Sequence, residues 1–264
     1  MQNLVYPTNK SWQFFKNSWK PCVFGGINYL LKHPIRGPVA LYHRLKFPIL
    51  KRSITQPFTT PEGIEVESNQ ALITWAQMFV EQLLYDDTFI REYKRATGAN
   101  VIDVGANYGM FTSWLGSYNN TTNFICIEPY PPFLEKGKRN TSKLRTKWIN
   151  AAASCLTGPI KLYRGGLLTC KKPVLVEEEI LVDTVRLDSL DIDVFLLKID
   201  TDGHSTEVLE GASELLKRTR HVLIEDEDGL DFDKFFHPNS WKRTVLPSGC
   251  DFLFTNPRVK PPVH

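Results

Sequence analysis

The sequence predicts an α/β protein with a doubly wound, mostly parallel sheet, and three observations predict it. Short apolar runs at 101–104, 124–128 and 194–200 each end at an acid or a glycine turn. A helix-patterned segment follows each run, so strands and helices alternate along the chain. The first junction, Val101-Ile-Asp-Val-Gly-Ala-Asn-Tyr-Gly109, passes from β-branched residues through glycines directly into a helical pattern. Such a junction is how α/β proteins build a nucleotide site, because the first amides of the helix are free donors.

The elements follow in order. Residues 69–85 read as a helix, with Leu72, Ala76, Phe79, Val80, Leu83 and Leu84 on one face. Ala96-Thr-Gly-Ala99 turns into strand 101–104, and a helix follows from about 108 to 118 with Met110, Phe111, Trp114, Leu115 and Tyr118 inward. Strand 124–128 comes next. Pro131 and Pro132 then open a helix with basic residues near its end. Strand 147–152 and β-like stretches at 159–163 and 179–186 lead to strand 194–200, whose continuous apolar run suits a buried parallel position. Ser205 or Thr206 can cap a helix with Val208, Leu209, Ala212, Leu215 and Leu216 on its inner face. Strand 221–225, a helix around 231–243 and strand 251–255 complete the pattern.

Composition bounds the rest. The 264 residues allow one large domain and an extension, and 42% hydrophobic with 23% charged residues is ordinary for a soluble protein. Five scattered cysteines (Cys22, Cys126, Cys155, Cys170 and Cys250) without a C-x-x-C read as free thiols in a reducing compartment. No apolar run reaches 18 residues, and no secretory signal opens the chain. These features predict a cytoplasmic protein. On that basis the N-x-S/T matches at Asn119, Asn120 and Asn140 are chance.

The net charge of +3 is unevenly spread. Residues 1–61 hold nine Lys/Arg and no acid, whereas 62–264 hold 23 basic against 29 acidic residues. Residues 1–64 are accordingly a basic N-terminal extension, rich in aromatics such as Trp12, Phe15, Trp19 and Tyr42, and 65–264 are the main domain. Prolines divide the extension into short pieces, with short helices expected near 11–19 and 37–46. Three roles stand for residues 1–61: a cap on the substrate cleft, peripheral contact with an anionic membrane, or nucleic-acid binding, the least favoured. The plain alternative is that its aromatics pack on the domain and its charges are solvated.

In open α/β sheets the ligand lies beyond the carboxyl ends of the strands. Asp103 and Gly105 end the first strand, and Glu128 ends the second, 23 residues after Gly105. An acid at about 20 residues past the glycine turn grips ribose hydroxyls, since a carboxylate can accept from two at once. The turn is G-x-x-x-G, with Asn107 where a dinucleotide site has its middle glycine. A nucleoside ligand without pyrophosphate, such as S-adenosylmethionine, fits better.

The set Asp103-Val-Gly-Ala-Asn-Tyr-Gly109, Ile127-Glu-Pro129, Asp183-Thr-Val-Arg-Leu-Asp-Ser-Leu190, Leu197-Lys-Ile-Asp-Thr-Asp-Gly-His204 and Val208-Leu-Glu-Gly-Ala212 resembles the FkbM-type methyltransferases. The resemblance spans about residues 65–256 and does not reach the basic arm. It implies a class I, Rossmann-like methyltransferase fold with a seven-stranded sheet, and transfer of methyl from S-adenosylmethionine to a hydroxyl of a sugar or glycoconjugate. It implies further that Asp103, Gly105, Ala106, Asn107 and Gly109 line the methionine end of the cofactor, that Asp200 also contacts it, and that Glu128 holds the ribose. The family pattern Lys-Ile-Asp-x-Glu-Gly-x-Glu is altered here, with Asp202 for the first Glu and Ser205 for the second.

The catalytic candidates are Asp200, Asp202, His204 and Glu225. A neutral hydroxyl is a poor nucleophile, so a base helps. His204 is the natural candidate by its ordinary pKa, Asp202 can orient it or act itself, and Glu225 can bind a substrate hydroxyl. A Mg2+ ion on Asp200, Asp202 and Glu225 or Asp226 is possible chemistry but is not favoured. Two alternative functions stand beside the main reading: a metal-assisted O-methyltransferase of a small natural product, and a non-catalytic cofactor-binding subunit. Pro129-Tyr-Pro-Pro-Phe133 imitates a base N-methyltransferase motif but follows the second strand, and so reads as a helix start.

Overall fold

A computed structural model describes residues 58–59, 65–66, 87–165, 168–170, 178–226, 229–246 and 251–262. The helices expected near 11–19, 37–46 and 69–85 lie outside these residues. Phe58–Thr59 (β1) and Glu65–Val66 (β2) pair antiparallel. Then come helix Asp87–Arg95 (α1), Asn100–Val104 (β3), helix Met110–Gly116 (α2), Asn123–Ile127 (β4), helix Pro131–Asn140 (α3), Arg145–Ile149 (β5) and Ala152–Ala153 (β6). Ile160–Gly165 (β7), Leu168–Cys170 (β8) and Glu178–Val182 (β9) form a separate antiparallel sheet. Thr184–Val185 (β10) pairs with β6, followed by Val194–Ile199 (β11), helix Ser205–Glu210 (α4), Thr219–Glu225 (β12), Lys242–Val245 (β13) and Asp251–Thr255 (β14).

The main sheet has seven strands in the order β13-β14-β12-β11-β3-β4-β5. The chain winds from β3 outward through β4 and β5, then returns to β11 and winds the other way. The switch point therefore lies between β3 and β11. All pairs from β5 to β12 are parallel, and β14 runs antiparallel between β12 and β13.

Side-chain alternation divides the core into two layers. On one face Val101, Phe124 and Leu196 pack under α1 and α2. On the other, Ile102, Val104, Leu197, Ile199 and Ile224 pack against Val208 and Leu209 of α4 and the turn at Leu215. All six residues of β11 are buried, as the apolar run 194–197 predicts, with Lys198 buried among them. Each fully buried aliphatic side chain contributes about 1.5–3 kcal/mol. The prolines at the start of α3 occupy its first turn, where their missing N–H costs nothing, so the Pro129–Phe133 stretch is a helix start.

Two expected elements differ. The helix expected around 231–243 is a single 3-10 turn at Phe232–Lys234 followed by β13. Pro238 interrupts the segment, and its aromatics instead cluster face to face, Phe236 lying 4.0 Å from Phe254. The helix expected from Ser205 to Leu216 stops at Glu210 and resumes as a 3-10 turn at Leu215–Arg218. There Gly211 abuts β6: a Cβ on it would lie 2.5 Å from the Ser154 carbonyl oxygen. Ser205 is the first helical residue rather than the cap. Helix α1 was not expected, although Phe89 and Tyr93 stack one turn apart on its inner face.

A partly buried ion pair closes the sheet end opposite the glycine turn. Glu92 of α1 accepts from Arg220 Nε at 2.8 Å and faces His221 Nε2 at 3.2 Å. Arg220 also donates to the carbonyls of Asn256 and Val259, at 2.7 and 3.0 Å, and so ties down the C-terminal segment. The hydrogen bond to His221 and then those to Arg220 hold the Glu92 carboxyl down at about 2, against a burial effect that raises it. A depressed carboxylate stabilises the fold above its unfolded value, 4.5, and that stabilisation is lost as pH falls toward about 2. Glu92→Gln is expected to lower stability at neutral pH by about 2 kcal/mol. It should also flatten the acid limb of a denaturation series in this window; an unchanged limb would show that the pair is idle.

Among the described residues no helix is long and apolar enough to cross a membrane. Cys126 and Cys155 are free thiols. Asn119 donates its side-chain amide to the carbonyls of Tyr93 and Ala96, and Asn140 to that of Tyr108.

Candidate active site

The glycine turn at the switch point is built on left-handed backbone. Gly105, Asn107 and Gly109 have φ of 74°, 49° and 69°. At Gly105 the conformation and the space both demand glycine: a Cβ would lie 1.8 Å from the carbonyl oxygen of Asp200. The turn after β3 thus lies directly against the turn after β11. The Gly105 and Ala106 amides donate to the Ile127 carbonyl at 3.0 and 3.1 Å, which fixes the turn against β4. Ala106 is buried beneath it, and Gly109 is the residue before α2.

Glu128 sits at the β4 end, 3% exposed. Its Oε2 accepts from the Asn107 N–H and its Oε1 from the Tyr130 N–H, both at 2.9 Å. Asn150 donates to its carbonyl at 3.0 Å. The left-handed turn of Asn107 is what aims that amide at the carboxylate. Burial raises the Glu128 carboxyl to about 7, the two amides only partly offsetting it.

Asp103 is fully buried under α2 and does not itself line an open surface. Its Oδ2 accepts from the Thr112 hydroxyl at 2.8 Å, and its Oδ1 lies 3.3 Å from Lys198 Nζ. Lys198 is the register partner of Asp103 across the β3–β11 pair. Its ammonium also donates to Asp200 Oδ2 at 2.9 Å and lies over the Phe111 ring. Packing pushes the Asp200 carboxyl up, but Lys198 and a hydrogen bond with Glu225 outweigh it and hold it below its ordinary value. Lys198 had no role assigned from sequence. Its signal was present, a lone charge in an otherwise apolar buried strand, which requires a partner.

Asp200, Asp202 and Glu225 converge on one pocket beyond the ends of β11 and β12, together with Ser205, Asp226 and Leu230. Asp226 lines it too, and its Oδ1 accepts from the Gly229 and Leu230 amides at 2.8 and 3.0 Å. His204 is not among the lining residues. Its ring is 6% exposed, with Nδ1 3.6 Å from Glu207 Oε2. It is thus a buried residue at the start of α4, neither solvated nor in the pocket wall. Among the described residues no three His, Cys, Asp or Glu side chains form a group that could hold a metal ion.

The donor set suits a nucleoside with a cationic tail. A carboxylate held by two amides at the β4 end is placed for vicinal hydroxyls. Gly105, which has no side chain, permits close approach of the backbone. Carboxylates at the β11 end complement an ammonium or sulfonium.

Residues 103–245 match the methyltransferase FkbM domain. No curated protein sequence matches the chain. Among solved structures, a methyltransferase from Geobacter sulfurreducens is similar at 15% identity over 72% of this chain and 90% of that one, TM-score 0.42. Precorrin-6y C5,15-methyltransferase from Geobacter metallireducens is similar at 12% identity over 63% and 83%, TM-score 0.39. TrmK of M. capricolum, in complex with S-adenosyl-homocysteine, is similar at 9% identity over 67% and 70%, TM-score 0.38.

Proposed function

This chain belongs to the FkbM methyltransferase family, and from that premise we propose that it transfers a methyl group from S-adenosylmethionine to a hydroxyl of a sugar or glycoconjugate. One observation carries the reading. The glycine turn that can seat the cofactor is in direct backbone contact with the turn that carries the acids of the pocket, Gly105 against Asp200. Donor and acceptor sites on those two turns are necessarily adjacent.

The bound cofactor supplies a methyl already activated by its sulfonium. Alignment of the acceptor oxygen with that methyl is then most of what the protein provides, and it is worth on the order of 7–11 kcal/mol in favourable cases. Glu128, fixed by the Asn107 and Tyr130 amides, takes the ribose hydroxyls on its remaining lone pairs. Asp200, anchored on one oxygen by Lys198, faces the cofactor's ammonium. Asp202 and Glu225 accept hydrogen bonds from the acceptor, and Asp202 removes the proton from the attacking hydroxyl. A pocket lined by carboxylates is suited to vicinal hydroxyls and disfavours phosphates, which supports a carbohydrate over a nucleic acid.

The test is transfer of labelled methyl to a panel of oligosaccharides, an RNA and a protein mixture. Label in the oligosaccharides that resists base hydrolysis fits an ether. Label only in RNA or protein removes the carbohydrate reading.

The Glu128 carboxyl adds a pH signature. Its folded value, about 7, exceeds its unfolded value, 4.5. Its contribution to folding is therefore most favourable below the unfolded value and is lost as pH rises through about 7, by roughly 3 kcal/mol. Ribose binding favours the ionised form. Affinity for S-adenosylhomocysteine should thus weaken as pH falls below about 7, by up to roughly tenfold per unit. Calorimetric titration across this range checks it, and a flat profile would remove Glu128 from the ribose site.

A further inference from the structure

We propose that Lys198 is a positioning residue that holds the cofactor-side face of Asp200 in one ionised geometry, and so couples the β3 core to the pocket. The inference rests on the methyltransferase reading above and adds to it a residue whose role is exerted through another. Three observations carry it. Lys198 is the register partner of Asp103, so its side chain rises from the same sheet face under α2. Its ammonium spans two carboxylates, 3.3 Å from Asp103 Oδ1 and 2.9 Å from Asp200 Oδ2. The two carboxylates differ in setting. The Asp103 side chain is 0% exposed and the Asp200 side chain 42% exposed, at the pocket.

A lysine that served only to neutralise a buried aspartate would need the first contact alone. Here the shorter contact goes to the exposed acid. Asp103, locked by the Thr112 hydroxyl, is the fixed anchor. The ammonium is held between anchor and pocket, and pins Asp200 Oδ2 inward. On its other side Asp200 is joined to Glu225, and both carboxyls line the pocket a ligand would enter. Three charges sum to one negative charge, which a cationic ligand tail can complement. Without the ammonium, Asp200 and the Glu225 carboxyl joined to it would face each other in the pocket with no cation beside them, and would share a proton. Cofactor binding would then have to expel that proton.

The experiment measures proton exchange on binding S-adenosylhomocysteine, by calorimetry in two buffers of different ionisation enthalpy at pH 8. Native protein is expected to bind with little proton release. Lys198→Met is expected to bind at least about tenfold more weakly and to release close to one additional proton, and Lys198→Arg to recover much of both. Unfolding of Lys198→Met is a real prospect, since it leaves the Asp103 charge buried and unpaired. The double variant Asp103→Asn/Lys198→Met removes both buried charges, and is compared with Asp103→Asn alone. If Lys198 positions Asp200, the double variant binds more weakly than the single one and releases the extra proton. Equal affinity and equal proton release would reduce Lys198 to a counter-ion for Asp103 and overturn the proposal. Failure of the native protein to bind S-adenosylhomocysteine would instead strike the methyltransferase reading itself.

Discussion

Gly105→Ala is expected to abolish measurable cofactor binding and to destabilise the protein by about 3 kcal/mol or more. Two costs combine. The residue has a φ of 74°, which disfavours any L side chain, and its Cβ would lie 1.8 Å from the Asp200 carbonyl oxygen. Backbone, unlike the end of a flexible side chain, cannot move aside cheaply. The turn after β3 and the turn after β11 would have to separate, and with them the glycine turn and the acid pocket. Thermal unfolding with and without S-adenosylhomocysteine reads both effects. A variant of native stability that still gains stability from the ligand would show that the contact between the turns is dispensable. Gly229, whose φ is 74° but which has open space around its Cβ position, provides the control. There alanine meets only the backbone cost, about 1 kcal/mol.

The second large effect is on turnover. Asp202→Asn is expected to lower kcat by about 10²–10⁴-fold while leaving the affinity for S-adenosylhomocysteine within a small factor. Asp202 lines the pocket, whereas His204, the natural base by its ordinary pKa, is buried outside it with Glu207 nearby. His204→Ala should therefore change stability more than kcat. The reverse pattern, with kcat lost in His204→Ala and kept in Asp202→Asn, would make His204 the base and require α4 to shift when substrate binds. Glu225→Gln is expected to raise KM more than it lowers kcat, since Glu225 is joined to Asp200 and is assigned to binding.

The central frame was legible because its determinants are local. The β-branched run at 101–104, the apolar run at 194–197 and the acids and glycines that terminate these strands fix strand, turn and switch point within a few residues each. Glu128 was legible for the same reason, by its distance from Gly105. What escaped depends on contacts distant in sequence. Helix α1 is held by Phe89 and Tyr93 packing on Phe195, over a hundred residues away. The break at Gly211 follows from the approach of Ser154, which no local pattern announces. The segment from 231 to 243 has helical spacing, but its aromatics satisfy each other and β14 instead. In the site, the ordered motifs pointed to the acids themselves. The two backbone amides that hold Glu128 and the lysine shared by Asp103 and Asp200 became visible only with strand register.

Glu128 and the glycine turn together form the proposed nucleoside site. Calorimetric titration with S-adenosylhomocysteine, on native protein and on Glu128→Ala with NADH as control, tests this most directly. Binding of micromolar order by the native protein, weakened at least about tenfold in Glu128→Ala and absent for NADH, is the predicted result. No binding of S-adenosylhomocysteine, or binding of NADH in its place, would contradict it.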